Sequence, residues 1–194
     1  MAKRQASEFN TLQGDVTVFK PIVAYLEWRR IEMVKRHVSG YLLDVGCGLN
    51  RLVREYGHGV GIDVHNWHTP AQLVGDGAAL PFRDSSFDTV SFLACLNHIP
   101  HREQALCEAW RVLRPGGLLL VTMIGPTISL AWHNLLGVHR SDQHQRGGVE
   151  DGEVWGLKVS EMVGLVQEAG FQPFRRKTFI FGINNLYLAR KAPE

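Results

Sequence analysis

The chain has 194 residues, 45% of them apolar and 21% charged, with a formal net charge of +2. These are the proportions of one folded domain with a sizeable core, far from those of a disordered chain. So small a net charge gives no reason to expect a nucleic-acid partner. The three cysteines, Cys47, Cys95 and Cys107, lie far apart in the sequence. An odd number without metal-ligand spacing, behind a polar start at residues 1–10 that does not read as a leader, points to a reducing, cytoplasmic setting. No apolar run approaches the roughly 20 residues of a membrane-spanning helix.

Pro21 to His37 reads as a helix with proline in its first turn and Ser39-Gly40 at its end, part of an N-terminal helical extension over 1–40. Tyr41 to Val45 is a buried strand, Asn50 to Glu55 a short helix, and Gly59 to Ile62 a second strand. The polar stretch from Val64 to Pro70 leaves little room for a crossover helix before a third strand at Ala71 to Val74. Thr89 to Leu93 is a fourth strand. His101 to Leu113 carries Ala105, Leu106, Ala109, Trp110 and Leu113 on one helical face. Arg114-Pro115-Gly116-Gly117 ends that helix and Leu118 to Met123 is a fifth strand. Strands alternating with short connections and helices make an α/β sheet, mostly parallel and covered on both faces. Residues 124–156 hold no clear strand and read as a cap inserted on the acceptor side of a cleft. Ser160 caps a helix that runs to Ala169 and stops at Gly170. Phe171 to Phe181 and Leu186 to Arg190 then flank a turn at Gly182-Ile183-Asn184-Asn185, predicting an antiparallel hairpin. The whole is a single doubly wound, Rossmann-like domain with a seven-stranded sheet.

The chemistry concentrates in Leu42-Leu43-Asp44-Val45-Gly46-Cys47-Gly48, followed by Gly61-Ile62-Asp63. Strand, glycine turn and helix, then a second strand ending in an acid, is how such domains hold an adenosine-bearing ligand at their carboxyl strand ends. Asp44 sits before the glycines, where it would repel a pyrophosphate and welcome an ammonium group. S-adenosylmethionine carries an ammonium and a sulfonium but no phosphate. Asp44 is therefore expected to face the ammonium, and Gly46 and Gly48 to let backbone approach the ligand closely, with the helix start offering N–H groups to its carboxylate. Asp63 can accept both ribose hydroxyls. Asp76 can accept from the adenine amino group and Gly77 can donate its N–H to a ring nitrogen. Val64 packs on an adenine face, and Leu93 and Ala94 line the methionine side.

Five segments in order, Leu43-Asp44-Val45-Gly46-Cys47-Gly48, Gly61-Ile62-Asp63, Gly75 to Phe82, Ser86-Phe87-Asp88-Thr89-Val90 and Arg111 to Gly117, resemble a class I S-adenosylmethionine-dependent methyltransferase. The resemblance runs from about Tyr41 to Arg190, and it implies a methyl transfer by in-line displacement to a small-molecule or lipid-like acceptor. Asn50 stands where many members have a third glycine, and asparagine tolerates the left-handed backbone needed there. His98, just beyond the fourth strand, is the candidate general base for an acceptor that arrives protonated. Asn97, His144 and Arg146 are candidate acceptor contacts, the last two alternating with Asp142 along the cap. Trp132 and Trp155 bracket it. His133, His139 and His144 lack the short spacing of a metal site, so no metal is expected.

Two other functions compete. A nicotinamide-dependent oxidoreductase is disfavoured by Asp44, by Arg51 at the last glycine position of the dinucleotide pattern, and by the lack of a Tyr-x-x-x-Lys pair. A non-catalytic S-adenosylmethionine-binding sensor or scaffold fits the same residues, since methyl transfer demands no fixed catalytic side chain.

Overall fold

A computed structural model describes residues 16–128, 152–172 and 175–193. The strands are β1 (Leu42–Val45), β2 (Gly59–Asp63), β3 (Gln72–Val74), β4 (Phe87–Leu93), β5 (Leu113–Ile124), β6 (Arg175–Phe179) and β7 (Asn184–Arg190). They form one sheet in the order β3-β2-β1-β4-β5-β7-β6. The first five are mutually parallel, β7 runs antiparallel to β5, and β6 antiparallel to β7. The chain leaves β1 in one direction for β2 and β3, then returns to its other side for β4 and β5. That reversal opens a crevice above the carboxyl ends of β1 and β4, where ligands of doubly wound sheets lie.

Helices cover both faces. Alternation along the strands sends Leu43, Val45, Val90, Phe92, Leu119, Val121 and Met123 to one side. There they pack with Leu106 and Ala109 of α3 (Arg102–Val112) and Met162 and Val166 of α4 (Val159–Glu168). Leu42, Leu118, Leu120 and Leu186 face the other side. They meet Ile31 and Val34 of α1 (Val16–Lys35) and Leu52 and Val53 of α2 (Arg51–Tyr56).

Several motif residues turn out to be ties within the frame. The Arg111 guanidinium donates to the Leu80 and Phe82 carbonyls at 3.0 and 2.8 Å and pairs with Glu108 and Asp84, so it fastens the loop after β3 to α3. Asp88 accepts from the Tyr41 N–H and from Arg114, each at 2.7 Å, anchoring the entry to β1.

Element boundaries depart from the sequence reading in four places. α1 extends a turn upstream, so Pro21 lies inside it. Arg114 to Gly117 does not form a separate stop: α3 passes directly into β5 at Leu113, and the irregular pairing falls between Phe87 and Thr89. Ser160 is not the cap of α4. The helix begins a residue earlier, and Glu161 reaches back to accept the Lys158 N–H at 2.8 Å, leaving Ser160 in the first turn. The terminal turn falls at residues 180–183 and not 182–185, because Asn184 and Asn185 pair with Ile124 and Met123 of β5.

The glycine turn after β1 is pressed onto β2. The Gly46 and Cys47 N–H groups both donate to the Ile62 carbonyl, at 2.8 and 3.2 Å. A Cβ on Gly61 would stand 2.3 Å from Asn50 Oδ1 and 2.6 Å from Cys47 Sγ, so no larger residue fits beneath the turn. Asn50 adopts the left-handed conformation its position requires, with φ 54°, and its Nδ2 donates to the Pro70 carbonyl at 2.8 Å. Gly61→Ala is therefore expected to destabilise the domain by about 1–3 kcal/mol through overpacking. Thermal denaturation checks this, and an unchanged melting temperature would mean that the turn yields freely.

Candidate cofactor and acceptor site

The site is built at the carboxyl ends of β1, β2 and β4. Asp44, in β1, is only 2% exposed and accepts a 2.6 Å hydrogen bond from the Ser91 hydroxyl on neighbouring β4. Burial, more than the opposing hydrogen bond can offset, pushes its carboxyl up to about 7, with the Asp63 charge adding to the rise. An acid held this way is a receptor for a cation: an ammonium brought alongside would supply the missing counter-charge.

Asp63 ends β2 and uses its two oxygens locally. One accepts the Gly48 N–H at 2.9 Å and the other the His65 N–H at 3.0 Å. Each carboxylate oxygen keeps a further lone pair, so these bonds orient the group without exhausting it. Gly48 has φ +51°, and a Cβ there would meet nothing within 4 Å, so the turn leaves open space at this point. Gly46 differs: a Cβ would strike the Cys95 side chain at 2.6 Å, so its glycine is needed for packing of the β1 and β4 ends.

Around this centre, Val64 is 70% exposed and belongs to no core cluster, an apolar surface available to a flat ring. Asp76 is exposed, and one of its oxygens accepts the Ala78 N–H at 2.8 Å, a turn-capping role. Gly77 is buried, with a Cβ position 2.7 Å from Val45, so close packing on β1 fixes the loop that carries Asp76. Leu93 and Ala94 are half-buried at the end of β4, and Ala94 takes a left-handed conformation with its N–H on the Thr122 carbonyl.

Two groups escaped sequence reasoning. Arg30 of α1 has a buried Nε without a hydrogen-bond partner, and burial pulls its pKa down against the influence of Glu27 and Cys95. An arginine in a Trp-Arg-Arg-Ile-Glu run reads as a solvated face, so nothing local signalled it. The other is Glu153. Its carboxylate lies 3.6 Å from His98 Nδ1, and both side chains are mostly shielded. Glu153 sits in a glycine-rich stretch and shows no motif.

Asn97 is buried and bonded both ways to Val154: its Nδ2 donates to the Val154 carbonyl at 3.1 Å, and its own carbonyl accepts the Val154 N–H at 2.9 Å. Its side chain therefore clamps residues 152–157 over the end of β4, a role different from the acceptor contact expected of it. Arg102 adds a bond to the Gly152 carbonyl, and Gly156 packs on the Ile124 carbonyl. Trp132, His133, His139, Asp142, His144 and Arg146 lie outside the described residues.

Asp44 gives the site a pH signature. A cationic ligand binds its ionised form, so affinity for S-adenosylhomocysteine is expected to rise with pH through about 7, by up to about tenfold per unit below it. The ligand-free protein has the opposite sign. An acid whose folded pKa is raised contributes stability fully below about 3.8 and loses it as pH climbs to about 7. Calorimetry across this range checks the first effect, and Asp44→Asn should flatten both curves. A wild-type affinity independent of pH would show that Asp44 does not meet the ligand's charge.

Residues 43–121 match the family model described as a methyltransferase domain. A mouse protein named 2-methoxy-6-polyprenyl-1,4-benzoquinol methylase, mitochondrial, is 37% identical over 105 residues, 52% of this chain and 32% of that protein. The demethylmenaquinone methyltransferase of Tropheryma whipplei is 31% identical over 130 residues, 59% of this chain and 53% of that one. The chain thus spans about a third to a half of the length of these two curated relatives. Among solved structures, it is similar in fold to an S-adenosylmethionine-dependent methyltransferase from Thermotoga maritima, described as a possible histamine N-methyltransferase. The TM-score is 0.69 at 18% identity, covering 94% of this chain and 97% of that one.

Proposed function

We propose that this chain, a class I S-adenosylmethionine-dependent methyltransferase whose residues 43–121 match the methyltransferase-domain model, transfers a methyl group to a lipid-like small molecule of the quinol class. The observation that carries the reading is the buried Asp44 carboxyl beneath a glycine turn that Asp63 fastens to β2. The donor set suits the cofactor: a buried acid for its ammonium, an open turn beside it and a second acid for its ribose. The relatives named for benzoquinol and demethylmenaquinone methylation support the acceptor class. S-adenosylmethionine, when bound, supplies the electrophilic methyl on its sulfonium.

The remaining work falls to this chain's own residues. Asp44 holds the amino-acid end, and Asp63 accepts from the ribose hydroxyls. Val64, Asp76 and Gly77 bound the adenine, while Leu93 and Ala94 shape the wall near the reacting methyl. Orientation and the exclusion of water then account for much of the rate, as in displacements that need no covalent help from protein. A ring carbon or hydroxyl that gains a methyl must lose a proton, and His98 takes it. The Glu153 carboxylate near Nδ1 favours the tautomer that keeps its proton there, which leaves Nε2 free to accept. His144 and Arg146 remain our candidates for acceptor contact from the cap over 124–156. The setting we propose for Cys47, Cys95 and Cys107 is a reducing compartment such as the cytoplasm. Among the described residues no helix is long and apolar enough to cross a membrane.

Incubation with tritiated S-adenosylmethionine and either a quinol-containing lipid extract or a water-soluble metabolite pool tests the proposal. Label should move into the organic phase, and His98→Ala should slow that transfer by roughly 100-fold, the scale of a general base, with cofactor affinity kept. Tight binding of S-adenosylhomocysteine with no label in either pool would favour the sensor reading instead.

A further inference from the structure

The hairpin between β6 and β7 turns through Phe181 and Gly182, with the Ile183 N–H donating to the Ile180 carbonyl at 3.0 Å. Ile180, Phe181 and Gly182 all have positive φ, at 51°, 53° and 81°. Such tight turns favour asparagine or aspartate before the glycine, because bulky side chains resist the left-handed conformation. This chain instead places a phenylalanine there, 99% exposed. A local rule broken without a packing gain is a reason to look for a use.

The tip stands at the ligand end of the sheet, since Asn184 at the start of β7 pairs with Ile124 at the end of β5. α1 rises to the same end. Its Val34 and Ile31 pack in one cluster with Phe179 and Leu186, and Glu27, nearer its start, pairs with Arg51 at the first residue of α2, just beyond the end of β1. At 1.5 Å per residue, Ile22 lies about 12 Å further out along the helix axis than Arg30. There Ile22 and Tyr25 are 47% and 51% exposed, with Trp28 against Tyr25 and Arg29 over the Trp28 ring. Two apolar projections, a helix end and a hairpin tip, thus flank the mouth of the cleft.

Charge indicates the occupant. β6 contributes exposed Arg175, Arg176 and Lys177 in succession and no acid. The acids of α1 are already paired, Glu27 with Arg51 and Glu32 with Lys35, which leaves Arg29 as a further cation beside Trp28. A shaped protein partner would need a continuous complementary surface of roughly 800 Å². Separate aromatic and aliphatic points among basic residues suit a soft, anionic surface, into which tryptophan, tyrosine and phenylalanine insert at headgroup depth.

We propose that Phe181 at the hairpin tip and the Ile22–Tyr25–Trp28 face of α1 dock the cleft mouth onto an anionic lipid bilayer, with Arg175, Arg176 and Lys177 supplying the long-range attraction. Docking in this orientation delivers a lipid-dissolved acceptor to the cleft without its crossing water. Vesicle binding is read without methyl transfer, so the proposal stands or falls separately from the reaction.

Co-sedimentation of the full chain with phosphatidylcholine vesicles, with and without phosphatidylglycerol, is the test. Binding is expected only with phosphatidylglycerol and should weaken as salt is raised. Phe181→Asp and Ile22→Asp should each reduce it by roughly tenfold, the partition of one buried apolar side chain. The Asp-Gly turn so created is a preferred one, and retained S-adenosylhomocysteine binding certifies the fold of both variants. Arg175→Glu with Arg176→Glu should weaken binding to a similar degree. Wild-type protein left in the supernatant with phosphatidylglycerol vesicles would overturn the proposal, as would full binding by Phe181→Asp. A solution dimer that Phe181→Asp splits would also overturn it, by making a second copy of the chain the occupant.

Discussion

A carboxyl group buried at the end of β1, with a single serine hydroxyl to hold it, is the constraint around which the site is arranged. Asp44 cannot carry its charge comfortably in that position, and the charge of Asp63 makes ionisation harder still. A protein that keeps two acids so placed gains from a cation arriving between them. The buried Arg30 guanidinium poses the converse problem, a positive group whose Nε has no acceptor. The cost of burying unmatched polar groups is thus carried by the empty protein and relieved on binding.

The rest of the frame keeps those groups in place. Gly61 permits the turn to lie directly on β2, and Asp63 fastens Gly48 from below, so the open side of the turn faces the crevice. Arg111 and Asp88, although they lie in the segments that most resemble the methyltransferase family, touch no part of the crevice. They lock the loop after β3 and the entry to β1, which explains how a motif can be essential to a binding fold without contacting a ligand. On the acceptor side, the clamp of Asn97 on Val154 sets Glu153 beside His98 and so joins the sheet end to the segment beyond it.

The sheet and the glycine turn at its centre were largely legible in the sequence. Short apolar runs bounded by glycine marked the central strands, and the left-handed Asn50 followed from what asparagine tolerates. Boundaries failed where tertiary pairing overrode local signals. Asn184 and Asn185 look like turn residues, yet β5 recruits both into a strand, and the leftover strain moves onto Ile180 and Phe181. Arg30 and Glu153 were invisible for a different reason. Glu153 matters through His98, a neighbour distant in sequence, and Arg30 through burial of its Nε beneath the fold, and no local spacing encodes either. Asn97 shows a role that its sequence position did not signal: its Nδ2 donates to the Val154 carbonyl and ties down the segment around it.

Titration calorimetry with S-adenosylhomocysteine and with NAD tests the central claim most directly. The account requires saturable one-to-one binding of S-adenosylhomocysteine, lost on Arg30→Ala together with Asp44→Ala, and no heat of binding with NAD. Tight NAD binding with no response to S-adenosylhomocysteine would contradict it.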